Sequence, residues 1–242
     1  MHRYQVFVGN FGSGKTELAL HFALQNAVQG QTVTLVDLDI VNPYFRAAER
    51  KKTLETQGVR LIVPNFAMDN VEIITIDPRI YSAFVGDNGL SVFDVGGDGV
   101  GARALGQYKA YFDRIPKELL DVWLVVNPYR PLSATPKLIT DLLQKIEQAS
   151  RLTINGIINN SNLSYETKAE DLLWGYDVVR QAAVDAKLPV VFTSGRQEIL
   201  SDFWNLAEQK GLDKQYLGEA LPIDIHMNRD WNRFTKYGVE DR

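Results

Sequence analysis

The sequence predicts an α/β protein: a three-layer α/β/α sandwich around a mostly parallel, doubly wound sheet. Two observations predict it. Short apolar, β-prone runs alternate along the chain with segments of helical periodicity, the order that a parallel sheet with crossover helices requires. Several of the runs, such as Val122-Trp123-Leu124-Val125-Val126, are apolar almost throughout, as strands covered by helices on both faces should be. Ligands of such a sheet gather beyond the carboxyl ends of its strands, so the residues just after each run carry the functional expectations.

The first run, Tyr4 to Val8, leads directly into Gly9-Asn10-Phe11-Gly12-Ser13-Gly14-Lys15-Thr16, a full match to the P-loop pattern G-x-x-x-x-G-K-[ST]. A helix is expected from Glu17 to Val28, with Leu18, Leu20, Phe22, Ala23 and Ala27 supplying its apolar positions. The glycines therefore lie in a strand-to-helix turn. There the backbone can wrap a phosphate, its N–H groups point inward, and the helix N-terminus adds positive potential. Residues Gly9 to Thr16 are expected to cradle a nucleoside triphosphate. Lys15 would reach its β- and γ-phosphates and the Thr16 hydroxyl would ligate Mg²⁺.

The second run, Thr32 to Asp37, closes on Asp37-Leu38-Asp39. Two carboxylates alternating at a strand end beside a P-loop can hold Mg²⁺ through water or position an attacking water. Asp37 and Asp39 are thus candidates for catalysis, Asp39 also for the metal. Between Gly58 and Ile76, the alternation of Val59, Leu61 and Val63, then of Val71, Ile73 and Ile76, predicts one or two short strands at a sheet edge. The next run, Leu90 to Asp94, continues as Asp94-Val95-Gly96-Gly97, an acidic strand end followed by a glycine switch. Asp94 would support Mg²⁺, and the Gly97 N–H could contact the γ-phosphate and lose that contact on hydrolysis. Glycines at 96, 97, 99 and 101 leave this stretch able to move.

Further strands are expected at Val122–Val126, Thr153–Asn159 and Pro189–Ser194, and helices at Pro136–Ala149, Lys168–Ala186 and Glu198–Lys210, the last stopped by Gly211. The Asn127–Pro131 loop would display Tyr129 and Arg130 stiffly between prolines, as a surface for a partner or substrate. Residues Tyr44 to Lys52 open a basic segment that could move with nucleotide state. The last part of the chain, Pro222 to Arg242, spaces Trp231, Phe234 and Tyr237 on one helical face, expected to pack on the body. Residues 1–221 are read as one P-loop nucleotide-binding domain, with 222–242 as its tail.

Composition narrows the function. A chain of 242 residues, 45% hydrophobic and 23% charged, can build one substantial core. Its net charge of -4 gives no general attraction for nucleic acid or anionic lipid. With no cysteine, it has neither disulfides nor thiolate ligands for zinc or iron–sulfur clusters. No apolar stretch approaches a membrane span, and the first strand follows Met1-His2-Arg3 at once, so neither signal peptide nor anchor is expected and the location reads as cytoplasmic.

The terminal P-loop, the Val-Asp-Leu-Asp strand end and the Phe-Asp-Val-Gly-Gly switch together resemble the MinD/ParA/CobQ-type ATPases of the SIMIBI class of P-loop proteins. That resemblance implies MgATP binding, hydrolysis that controls or matures a protein partner, and a possible nucleotide-dependent homodimer. It also implies that an asparagine after the fifth main strand contacts the base, here Asn159 or Asn160, with Thr193 to Arg196 completing the pocket. The sequence departs from it at Asn10, where members with the deviant loop carry a signature lysine, and at Phe11, which replaces the next glycine. Arg46, Arg103 or Arg130 could supply the missing charge. The guanine-reading Asn-Lys-x-Asp motif is absent after every expected strand, which favours adenine. Two other functions fit the same motifs: an ATP-dependent small-molecule kinase or ligase resembling dethiobiotin synthetase, and a nucleotide sensor without hydrolysis.

Overall fold

The computed structural model describes residues 1–39, 48–63, 78–86, 88–97 and 99–224. Its centre is β1 (His2–Gly9), buried from Tyr4 onward, which feeds the glycine turn and α1 (Lys15–Val28). Next come β2 (Val33–Leu38), α2 (Ala48–Thr56), β3 (Val59–Ile62) and the single turn α3 (Pro78–Tyr81). The chain then enters β4 (Gly89–Val95), α4 (Gly99–Gly106), α5 (Lys109–Phe112) and β5 (Leu120–Val126). The second half runs through α6 (Pro136–Ser150), β6 (Gly156–Asn159), α7 (Ala169–Ala186), β7 (Val190–Gly195), α8 (Gln197–Gln209) and β8 (Glu219–Pro222).

The strands form one eight-stranded sheet in the order β3-β2-β4-β1-β5-β6-β7-β8. Among the described residues every pairing is parallel, as the sequence predicts for a doubly wound sheet. From β1 the chain first crosses to β2 and later returns to β5, so the P-loop leaves the sheet at the point where the winding direction reverses. That is the crevice in which open α/β sheets hold ligands.

Alternation along β1 divides the core. Val6 and Val8 pack on the face that carries α6 and α7, among Leu124, Ile139, Leu143 and Val179. Phe7 packs on the α1 face with Leu18, Phe22 and Trp123. There Phe7, Phe22, Trp123 and Phe192 form a ring cluster with centroids 5.4–5.7 Å apart. Aromatic pairs at that spacing add stabilisation beyond their buried area. The cluster locks α1 to β1, β5 and β7, and with it the direction in which the P-loop opens.

Local signals explain the helix ends. Thr135 caps α6 by accepting from the Leu138 N–H at 3.3 Å, and Pro136 occupies the first helical position. Asp171 accepts from the Lys168 N–H at 2.8 Å to close the start of α7. Gly211, after α8, takes φ 62°, the left-handed stop its position predicts. The expected strand at Thr153 begins only at Gly156. Before it, the Asn155 side chain takes over the link to β5, accepting from Val122 N and donating to Leu120 O. At the other end of the chain, β8 adds an edge strand that the sequence reading omits, so Pro222 belongs to the sheet and not to a tail. Val71, Ile73, Ile76, Tyr44, Arg46, Trp231, Phe234 and Tyr237 lie outside the described residues.

Gly175 on α7 lies so close to Ser161 that a Cβ there would overlap the serine side chain. Alanine ordinarily gains about 1 kcal/mol over glycine inside a helix. Overpacking of ~1–3 kcal/mol should outweigh that gain. Gly175→Ala is therefore expected to lower Tm by several degrees, at ~2–4 °C per kcal/mol for a domain of this size, and Ser161→Gly to restore much of the loss. A Gly175→Ala protein as stable as wild type in thermal denaturation would contradict this packing.

Candidate functional site

The P-loop emerges between β4 and β5 and is held from both sides by neighbouring strand ends. Gly14 caps α1 with φ 94°, in the left-handed region. A Cβ at Gly14 would strike the Asn160 amide nitrogen, which occupies that space and donates to Ser13 O at 2.6 Å. The Asn160 carbonyl oxygen in turn accepts from the Ser194 hydroxyl at 2.8 Å, and its backbone N–H donates to Val126 O at 2.8 Å. One buried asparagine thus laces the P-loop to the ends of β5 and β7.

On the other side, Gly97 touches the loop backbone itself: a Cβ there would overlap Phe11 N. Gly96 lies against the Asp39 carboxylate, with a Cβ position 3.3 Å from Oδ1. Lys15 is buried, and its ammonium donates to Asn10 O at 2.8 Å, inside the arch of the loop. Asn10 is buried as well, whereas the Phe11 ring is exposed.

Parallel register puts Asp37 opposite Asp94, and Asp94 opposite Phe7, so both carboxylates share the α1 face of the sheet. Asp37 Oδ1 accepts from the Asp39 N–H at 2.9 Å, an Asx turn that ends β2 and fixes the backbone of Asp39. Asp94 is 1% exposed, and its pKa is pushed up to about 6. Burial is the largest cause and the charge of Asp39 adds to it, while the Thr16 hydroxyl and the Lys15 ammonium pull the other way. Thr16 is thus close enough to favour the carboxylate, yet neither Asp94 oxygen has a hydrogen bond of full geometry to a described residue.

Two buried carboxylate oxygens without such bonds, beside a threonine hydroxyl and a second carboxylate, suit a hydrated divalent cation. Among the described residues no group of three or more His, Cys, Asp or Glu could hold a metal alone. A cation here would have to share its ligands with phosphate oxygens and water, which is how Mg²⁺ binds in nucleotide sites.

The remaining expected residues separate. Asn160 joins the P-loop, whereas Asn159 turns to the α7 face, where its Oδ1 accepts from Ser161 Oγ at 2.6 Å and lies near Gly175. Thr193 donates to Leu217 O at 2.7 Å, a link from β7 to the turn that precedes β8. Arg103 is exposed on α4, its guanidinium near Gly99 rather than the loop. Arg130 comes to the P-loop, where its Nε donates to Gly12 O at 3.0 Å.

One organising residue escapes the motif reading. Asn127, fully buried after β5, accepts at Oδ1 from the N–H groups of Tyr129 and Asn162 and donates to Asn162 O. It ties the loops after β5 and β6 together. An asparagine at a strand's carboxyl end just before a proline is the signal that could have found it.

Neither protein-family models nor curated proteins match this sequence. Solved structures do. Chloroplast FtsY from Physcomitrella patens superposes with a TM-score of 0.52 at 15% identity, covering 80% of this chain and 58% of that one. The signal recognition particle receptor FtsY from Elizabethkingia anophelis in complex with GDP gives 0.50 at 18%, covering 80% and 57%. The cell division protein FtsY from Thermotoga maritima gives 0.50 at 18%, covering 79% and 61%. The chain therefore spans about three fifths of the length of these neighbours. They show the fold alone, a parallel sheet sandwiched between helices.

Folding raises the Asp94 pKa above its ordinary 3.8, so the folded chain binds this proton more tightly than the unfolded chain. The ionised side chain therefore costs stability. That cost is absent below the ordinary value and complete once pH has risen past about 6. Asp94→Asn is expected to raise Tm by several degrees at pH 8 in nucleotide-free, Mg²⁺-free protein, with the gain vanishing near pH 3.5. Calorimetry across that range checks it, and a lower Tm for the variant at pH 8 would contradict it.

Proposed function

We propose that this chain is a cytoplasmic, Mg²⁺-dependent ATP-binding and hydrolysing switch, similar to the MinD/ParA/CobQ-type ATPases, that regulates or matures a partner protein. The observation that carries the reading is the contact of Gly97 with the P-loop backbone at Phe11. A glycine at the carboxyl end of β4, one turn from α4, lies against the loop expected to hold the terminal phosphates. A γ-phosphate accepting from the Gly97 N–H would fix this segment, and its release would free it.

The other residues take roles consistent with their surroundings. Gly9 to Thr16 enclose the phosphates. Lys15, which donates to the Asn10 carbonyl, would turn to a phosphate oxygen and exchange a neutral acceptor for a charged one. Mg²⁺, when bound, neutralises charge on the β- and γ-phosphates. Thr16 and Asp94 would hold it, with Asp39 on its water shell. Asp39, held by the turn at Asp37, would also orient the attacking water. Catalysis of this kind rests on positioning and charge rather than on covalent chemistry.

Adenine is favoured by the loop after β6. Asn160 to Tyr165 contain no carboxylate to accept from guanine N1–H and N2–H, and they expose Leu163 and Tyr165 as apolar surface for a base. Asn160 would support that pocket by holding Ser13 in place.

A binding panel of ATP, ADP, GTP and GDP with Mg²⁺ tests the reading. Micromolar or tighter binding of ATP, at least ~10-fold preference over GTP, and slow phosphate release are expected. Lys15→Ala should weaken ATP by at least ~10-fold, the ~1.5 kcal/mol or more of a charged hydrogen bond. Preference for GTP would overturn the adenine assignment, and binding unaffected by Lys15→Ala would overturn the site.

A further inference from the structure

If the P-loop holds a triphosphate as proposed above, its phosphates bring further negative charge to a site already rich in carboxylates. Among the described residues, Asp37, Asp39 and Asp94 bring three carboxylates to the strand ends beside the loop, and Lys15 brings an ammonium. A divalent cation offsets only part of the combined charge of these groups and a triphosphate. Phosphoryl transfer then spreads negative charge over the terminal oxygens, and a further cation aimed at them is among the largest single contributions a protein can make.

Arg130 is placed to be that cation. Its Nε donates to Gly12 O at 3.0 Å, and a Cβ at Gly12 would come within 3.2 Å of the same nitrogen, so the guanidinium lies along the outer wall of the loop. The terminal nitrogens make no hydrogen bond to a described residue. They present the planar fork that matches two phosphate oxygens.

The loop that carries Arg130 is braced while the side chain is not. Arg130 N donates to Asn127 O at 3.0 Å, and the Ser133 hydroxyl donates to the same carbonyl at 2.7 Å. The Tyr129 hydroxyl donates to Asp171 at 2.6 Å and its ring packs 4.6 Å from Trp174. Arg130 is extended at φ -97°, ψ 134°, the conformation Pro131 imposes on the residue before it. A rigid base under an exposed guanidinium suits a group that must move a short way and stop in one place.

We propose that Arg130 is a catalytic arginine acting in cis: on nucleotide binding its guanidinium pivots from Gly12 O onto the phosphates, so that one chain hydrolyses ATP without charge from a second copy. This inference rests on the function proposed above. Single-turnover hydrolysis and nucleotide affinity of wild type, Arg130→Ala and Arg130→Lys test it, together with molecular mass by light scattering across protein concentration. The hydrolytic rate should fall at least ~10²-fold in Arg130→Ala, with affinity changed less than tenfold. Arg130→Lys should be intermediate, millimolar guanidinium should partly restore Arg130→Ala, and wild-type activity per chain should not depend on protein concentration. A merely structural bond to Gly12 would show no rescue. Hydrolysis that survives Arg130→Ala, a loss confined to affinity, or activity per chain that rises with dimer mass would overturn the inference alone. Wild-type protein that binds no nucleotide would overturn the proposed function and this inference with it.

Discussion

A loop that offers several backbone N–H groups to one anion leaves almost no room for side chains around it. In this chain that constraint is met at two contacts. At Gly14 the missing Cβ makes space for the Asn160 amide, and at Gly97 it lets the end of β4 lie on the loop backbone. The first contact ties the loop to β7 and β5 through Ser194 and Val126. The second ties it to the segment that runs into α4. Under the proposed function, a change at the loop would be passed through the Gly97 contact to α4 rather than through Asn160 to β6 or β7.

Holding that geometry has a cost. Asp94 is buried with its pKa pushed up to about 6, so at neutral pH the folded chain carries a charge it would be more stable without. The aromatic cluster beneath α1 offsets such a cost, since each large apolar side chain removed from water contributes about 1.5–3 kcal/mol. Strain of this kind at a polar site, balanced by packing elsewhere, is how proteins commonly keep a functional group in an unfavourable place.

The parallel sheet was legible because buried strands such as β5 are apolar at almost every position, and alternation with helical segments leaves few other architectures. The P-loop was legible because its chemistry fixes residue types at fixed spacing. What the sequence hid lies where contacts are distant in the chain. Arg130 and Gly12 are separated by more than a hundred residues, so the sequence offers Arg130 only as one of three candidate arginines, and nothing local to Asn127-Pro128-Tyr129 singles it out over Arg46 or Arg103. Asn159 and Asn160 look equivalent in sequence, but strand alternation sends one to α7 and the other to the loop. β8 was missed because Glu219-Ala220-Leu221-Pro222 is short and half polar, as an edge strand can be.

The central claim is that a nucleotide at the P-loop reaches Gly97 and, through it, α4. Amide hydrogen exchange over residues 96–106 of the full chain tests it most directly. Slower exchange in this segment with a non-hydrolysable ATP analogue and Mg²⁺ than with ADP and Mg²⁺ is the result predicted, with β6 and β7 unchanged. Equal exchange in the two states, with both nucleotides bound, would contradict it.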